Sequence, residues 1–311
     1  MTNLLDSQAS VSSIETDTLF QQTLARSLDK HVIQSSAGVE RILERRLQRF
    51  DSKLEFADIW SLDSLGLTGI SAVNTAKPET QVKIREALAL SRLHEAWSIE
   101  RAGMTFAAKM SLLSESLNEQ KLYSLFASEE AHHFHFIDQC LAGHLPQGPD
   151  PFISLLNQMI SGCDRRSLLF MIQIVLEGWG IVHYANMSKN CLEPHLKACL
   201  QTILSDEAAH HGSGLSLFQE TQLTQNEVRQ ITDMMSQFLY MVAIGPVTVM
   251  QVLSEQLGSF LPHQRDTVLH ELNAHQETQF KLNLLKDLML KANAHRIVFE
   301  LEQKNAFKPC L

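Results

Sequence analysis

Residues 128–136 read SEEAHHFHF, two acids and three histidines in nine positions. Residues 205–210 read SDEAAH. Laid over each other, the stretches match Ser128 with Ser205, Glu130 with Glu207, Ala131 with Ala208 and His133 with His210. Upstream, IERAGMTFAAKMS (99–111) lies over LEGWGIVHYANMS (176–188), pairing Glu100 with Glu177, Gly103 with Gly180 and Met110 with Met187. The offset is 77 residues in both places, so the chain holds a twofold internal repeat. Each copy carries one Glu and then, 30 residues on, an E-x-x-H.

Apolar residues recur at three- and four-residue intervals from about Glu79 onward, the period of a buried helix. Helices are expected from 79 to about 114, then to about 142, over 152–161, over 165–189 with Asp164 as cap, and on to about 220. Two more are expected over 225–258, kinked at Gly245-Pro246, and over 264–293. Residues 36–50 read as a helix with a Ser cap, 51–80 as loop-rich, and 1–30 as weakly helical and mobile at the very start. No segment reads as a strand. The expected organisation is an N-terminal helical extension (1–78), a four-helix bundle (79–221) and C-terminal helices packed on it (222–311), in one compact unit.

On a helix, positions i and i+3 share a face, so Glu130 and His133 address one point, as do Glu207 and His210. If each hairpin folds back antiparallel, its lone Glu meets its E-x-x-H. Four carboxylates and two imidazoles then project into the core. Two divalent ions sharing bridging carboxylates would offset that buried charge. Without them the carboxylates would repel and take up protons. Glu129 with His132 also spells E-x-x-H, with Glu95 lying 34 residues before Glu129. The repeat favours Glu100, Glu130 and His133, since only that set matches Glu177, Glu207 and His210.

This pattern resembles the ferritin-like di-iron carboxylate proteins, whose order is E, E-x-x-H, E, E-x-x-H. The resemblance covers about residues 80–221. It implies an all-α fold, a ferritin-like four-helix bundle with a long crossover, elaborated by extra N- and C-terminal helices. It implies Glu100, Glu130, His133, Glu177, Glu207 and His210 as metal ligands. In related oxygenases an acid just before the ligand Glu hydrogen-bonds a ligand histidine across the site, a role that falls here to Glu129 and Asp206. His211 is either an extra ligand or a pocket group. Tyr184 either approaches the metals or is a hydrogen-bonded core tyrosine. Ile137 stands where the ribonucleotide reductase small subunit has its radical tyrosine, which argues against such a radical.

The oxygenase members are the most similar. They imply a non-haem di-iron oxidoreductase that uses O2 to hydroxylate, N-oxygenate or desaturate a small or carrier-tethered substrate. The expected cofactor is two Fe ions, with Mn/Fe or di-manganese compatible with the same ligands. A reductase or ferredoxin would supply electrons, and the extra helices suit a homodimer interface or a substrate enclosure. Several of those enzymes place Arg before the ligand His, where this chain has His132 and Ala209, so no one subfamily is matched. The alternatives are a ferroxidase or iron-binding protein, and a non-enzymatic helical interaction protein.

Other residues have two readings each. Gly103 and Gly180 sit on the metal-facing side, either making room for oxygen and substrate or allowing close helix packing. Trp97, Trp179, Phe106, Phe126 and Phe170 are core residues or pocket walls. His94, His132, His135 and His183 read as surface or packing histidines. Arg41, Arg45 and Arg49, with Arg46 beside them, form either a solvated stripe or a dock for an acidic carrier protein.

Composition narrows the function classes. The 311 residues carry a net charge of −9, which gives nothing global to attract nucleic acid. The polar N-terminus lacks a basic segment followed by an apolar one, so no secretory signal is expected. The apolar runs SLLFMIQIVLEGWGIV and FLYMVAIGPVTVMQVL are interrupted by Glu177 and Pro246 and read as buried helices rather than membrane spans. Five cysteines without a CxxC pair fit a reducing cytoplasm and exclude a rubredoxin-type centre.

Overall fold

The computed structural model describes residues 37–47 and 54–311. The fold is all-α: among the described residues every regular element is a helix. Helix α1 spans Ala37–Arg46, and a 3-10 turn at Phe56–Asp58 and the short α2 (Ser71–Asn74) follow. Then come α3 (Pro78–Leu112), α4 (Leu117–Leu141) and α5 (Pro151–Gly162). Next is a long composite helix made of α6 (Arg165–Leu168), a π-helical segment (Leu169–Leu176) and α7 (Glu177–Asn190). Helix α8 covers Pro194–Leu217. The chain closes with α9 (Gln225–Ala243), α10 (Val247–Leu257), α11 (Pro262–Glu271), α12 (Ala274–Lys291) and α13 (His295–Gln303).

Local chemistry sets the ends of these helices. Pro78 opens α3, where its missing N–H would have had no helical partner anyway. Ser116 caps α4 by accepting from the Glu119 amide, while the Glu119 carboxylate accepts from the amide of Glu115. Asp150 caps α5 and Asp164 caps α6 in the same manner. Helix α9 opens on a full capping box between Thr224 and Glu227. Between α9 and α10 the chain turns at Gly245, whose φ of +80° suits a residue without Cβ.

Three boundaries differ from the sequence reading. The expected helix over 264–293 is two helices, broken at Asn273 in the left-handed region (φ 54°). A further helix, α13, closes the chain; its short amphipathic period buries Ile297, Val298 and Leu301. The third difference is the π-helix, which periodicity could not announce because every residue of that stretch but Leu176 is buried. The first 36 residues and Arg49 lie outside the described residues. Arg41, Arg45 and Arg46 are exposed on α1.

Helices α3 and α4 pack as one hairpin, and α7 and α8 as a second. The hairpins meet through α4 and α8. The C-terminal helices cover this arrangement: α12 lies on α7 and the π segment, α9 on α5 and α6, and α10 on α3. Two helical stretches, Arg165–Asn190 and Gln225–Leu257, are long and apolar enough to cross a membrane by length and composition. The first carries Glu177 inside the protein, and the second is broken at Gly245-Pro246.

Two apolar cores divide each hairpin helix. On α3, one core takes Leu88, Leu93 and Ala96, and the other takes Ala102, Phe106 and Met110. On α4 the order is Tyr123 and Phe126, then Ile137 and Leu141. On α8, Leu196 to Ile203 belong to one core and Phe218, just past its end, to the other. The residues between the two cores are Glu100, Glu130, His133, Glu207 and His210, a buried polar layer across the middle of the helices. Burying an apolar side chain stabilises by roughly 1.5–3 kcal/mol, so each core is a strong clamp on the layer it flanks.

One buried cation ties the layers together. Lys109 on α3 donates from Nζ to the carbonyls of Ile160 and Cys163, at 2.8 and 2.7 Å. Those are unsatisfied carbonyls at the end of α5, where a cation is favoured.

Candidate metal centre

The polar layer brings together the six residues paired by the repeat. One ligand atom from each of Glu100, Glu130, His133 and Glu207 falls within 4.8 Å of the others, and the same holds for Glu177, Glu207 and His210. Glu207 belongs to both groups. Glu130 also stands between the halves, with Oε1 3.3 Å from Nδ1 of His210. The overlapping register does not converge in this way: His132 is exposed and its Nδ1 lies 2.7 Å from the Ser128 carbonyl.

Both imidazoles are held from behind by an acid of the opposite hairpin. Nε2 of His133 lies 3.0 Å from Oδ2 of Asp206, and Nε2 of His210 lies 2.9 Å from Oε2 of Glu129. Each ring therefore presents Nδ1 to the interior. Nδ1 of His133 faces Oε2 of Glu100 at 3.2 Å, and neither atom has a hydrogen-bond partner. A carboxylate behind an imidazole fixes its tautomer and raises its basicity as a ligand.

The electrostatics are those of a site short of positive charge. Burial, and then the charge of neighbouring carboxylates, pushes Glu130, Glu177 and Glu207 well above the ordinary carboxylate value. Burial also opposes ionisation of Glu100, but the close approach and charge of His133, with the hydrogen bond from Tyr184, hold it below its usual value. Burial disfavours charge on His133, yet the close approach and charge of Glu100 raise it to about 10. Carboxylates packed this closely stay ionised only beside cations. The donor set, four carboxylates and two inward nitrogens with unpartnered atoms at Glu100, His133 and Glu177, fits two divalent ions of the Fe, Mn or Zn class.

The remaining candidates divide. The Tyr184 hydroxyl donates to Oε1 of Glu100, and burial first, then the Glu100 charge, pushes its pKa up, so it keeps its proton. His211 points elsewhere. Its ring packs where a Cβ on Gly178 would come within 2.9 Å, and it faces the carbonyls of Gln173 and Ile174 in the π segment. The two glycines behave differently. A Cβ on Gly103 would collide with the Glu130 carboxylate, whereas a Cβ on Gly180 would meet nothing within 4 Å.

A cavity of about 740 Å³, counting solvent at its mouth, opens beside the layer. Ile99, Ala102 and Phe106 of α3 and Phe152, Leu156 and Ile160 of α5 form apolar walls. Ile172, Leu176, Trp179 and Gly180 form the facing wall, and Glu130, Glu177, Glu207 and Tyr184 reach the same space. Of the five aromatic candidates, Phe106 and Trp179 line this cavity, while Trp97, Phe126 and Phe170 are core.

Sequence reasoning passed over one residue here and placed two others differently. Gln173, buried in the π segment, donates to the His210 carbonyl (2.9 Å) and Ser213 Oγ (2.6 Å) and accepts from the Tyr123 hydroxyl (2.7 Å). Its signal was a lone amide inside an apolar run, where a buried polar group needs partners. Glu95 and His183 line the cavity, with His183 read from sequence as a surface or packing residue. Comparison with protein-family models, curated proteins and solved structures finds no match to this chain.

Proposed function

We propose that the chain is a ferritin-like non-haem di-iron oxygenase that oxidises an organic substrate held in the apolar cavity. One observation carries this reading: four carboxylates and two back-bonded imidazoles converge in a buried layer that borders an apolar-walled cavity. A storage protein needs the ligands but has no use for the cavity.

Glu100, Glu130, His133, Glu177, Glu207 and His210 would hold the ions, with Glu207 common to both groups and Glu130 standing between the two histidines. When bound, the ferrous ions supply electrons and an open, Lewis-acidic position for oxygen. The protein's residues do the rest. Asp206 and Glu129 hold the two Nδ1 atoms on target. Tyr184 fixes the Glu100 carboxylate by donating its hydroxyl proton. Glu177 has an unpartnered Oε2 and lines the cavity, so its carboxylate is the one able to swing. The apolar walls exclude water from the reacting position. One oxygenation consumes the substrate C–H or N–H, O2, two electrons and two protons, and yields the hydroxylated product and water. A reductase or ferredoxin supplies the electrons. The same ligands accept manganese in one or both positions.

Anaerobic loading with Fe(II) followed by metal analysis tests the reading; the expected content is about two irons per chain. Rapid mixing with oxygen is expected to give a transient visible absorbance with no growth of ferric mineral. Continued iron uptake into a mineral would establish the ferroxidase alternative, and failure to bind Fe or Mn would sink both.

A further inference from the structure

The cavity has two unlike ends. Along α3, Glu95, Ile99, Ala102, Gly103 and Phe106 face it in turn. Eleven residues of helix span roughly 16 Å, so the space runs lengthwise past the carboxylate layer rather than sitting on top of it. At the far end the walls are apolar. At the near end stand Glu95, exposed, and His183, whose Nε2 is buried without a hydrogen-bond partner. A buried unpartnered imidazole nitrogen beside an otherwise apolar wall needs an explanation.

Charge selects the kind of ligand. Among the described residues no Lys or Arg lines the cavity. His183 feels the charge of Glu95 ahead of those of Arg92 and Lys281; Arg92 also feels the charge of Glu95, but its guanidinium is held over the ring of Trp60. Two divalent ions would neutralise the four inner carboxylates. Glu95 would then be the one lining carboxylate without a metal, at the end where a ligand's head would stop.

We propose that the cavity takes an elongated apolar molecule with a primary amine at one end, the ammonium paired with Glu95 and donating to Nε2 of His183. The body of the molecule lies past Gly103 and Glu130 toward the α5 wall, so the oxidised position is in the body and remote from the amine. This rests on the di-iron reading for its chemistry, whereas the binding itself can be measured without turnover.

The test is calorimetric titration of the anaerobic Fe(II)-loaded full chain with octylamine, octanoate and 1-octanol, with metal content measured on the same samples. Octylamine is expected to bind at one site, at least tenfold tighter than octanoate. Glu95→Gln is expected to weaken octylamine roughly tenfold, the size of a lost charged hydrogen bond, and to leave 1-octanol unchanged. His183→Leu, which keeps the volume and removes the nitrogen, is expected to weaken octylamine severalfold. Equal or tighter binding of octanoate, or an amine preference that survives Glu95→Gln, overturns the inference. If metal loads and octylamine does not bind, the inference falls and the di-iron reading stands. If metal does not load but amine binding depends on Glu95, the di-iron reading falls and the amine site stands.

Discussion

The two copies of the repeat carry the same three residues and surround them differently. In the first, Glu100 lies on an unbroken α-helix and receives the Tyr184 hydroxyl, and Gly103 is pressed against Glu130. In the second, Glu177 follows directly on a π-helix, has an unpartnered oxygen and faces the cavity, and Gly180 borders open space. Tyr184, a residue of the second copy, serves the Glu of the first; its counterpart in the first copy is Ala107. A twofold set of acids and imidazoles is thereby made one-sided, fastened at Glu100 and open at Glu177.

Removing a shared ligand should erase this contrast. Glu130→Ala and Glu207→Ala are each expected to lose at least one metal ion per chain by elemental analysis, since both carboxylates stand between the halves. Full metal retention in either variant would break the assignment. The acids behind the histidines should act alike in the two copies: Glu129→Ala and Asp206→Ala are each expected to weaken metal binding by roughly 10- to 100-fold. Competition with a chelator measures this, and a strongly unequal pair would show that only one metal position matters.

The metal-free chain should also melt in a pH-dependent way. Burial first, and then neighbouring carboxylates, raise Glu130, Glu177 and Glu207. Raised carboxyls favour the folded state in acid and weaken it as pH rises through their folded values. His133, raised to about 10 against burial by Glu100, works in the same sense and loses its contribution from near neutrality upward. Glu100 runs oppositely, but its contribution is lost only in acid. Melting is therefore expected several degrees lower at pH 8 than at pH 6, with Mn(II) removing the slope. A flat profile would mean that the carboxylates and His133 of the layer do not titrate differently in the folded chain. The smallest effect separates the glycines. Gly180→Ala is expected to keep metal and gain about 1 kcal/mol from helix propensity, read by thermal unfolding. Gly103→Ala is expected to displace Glu130 and lower metal content.

Much of this was present in the chain's spelling. Two matching E-x-x-H copies at one offset specified which face of which helix is polar, and helical spacing did the rest. Asp164 as a cap and the break at Gly245-Pro246 followed from local chemistry in the same way. What was not readable depended on partners distant in sequence. The π segment sits in a stretch buried nearly all round, where a period of 3.6 leaves no trace. The role of His211 is decided by Gly178 and by carbonyls of another helix, not by its four-residue distance from Glu207. His183 looks like any histidine on a helix until the wall opposite it turns out to be apolar.

Lys109 joins two distances that would otherwise vary independently. Its ammonium fastens the end of α5, and with it Ile160, to the helix that carries Glu100. Nine residues of helix separate Lys109 from Glu100, roughly 14 Å of stiff rod. The α5 wall of the cavity is therefore mounted on the same ruler as the carboxylates. A molecule lying along the cavity as proposed would be measured by its length, against a wall that cannot shift independently of the carboxylates.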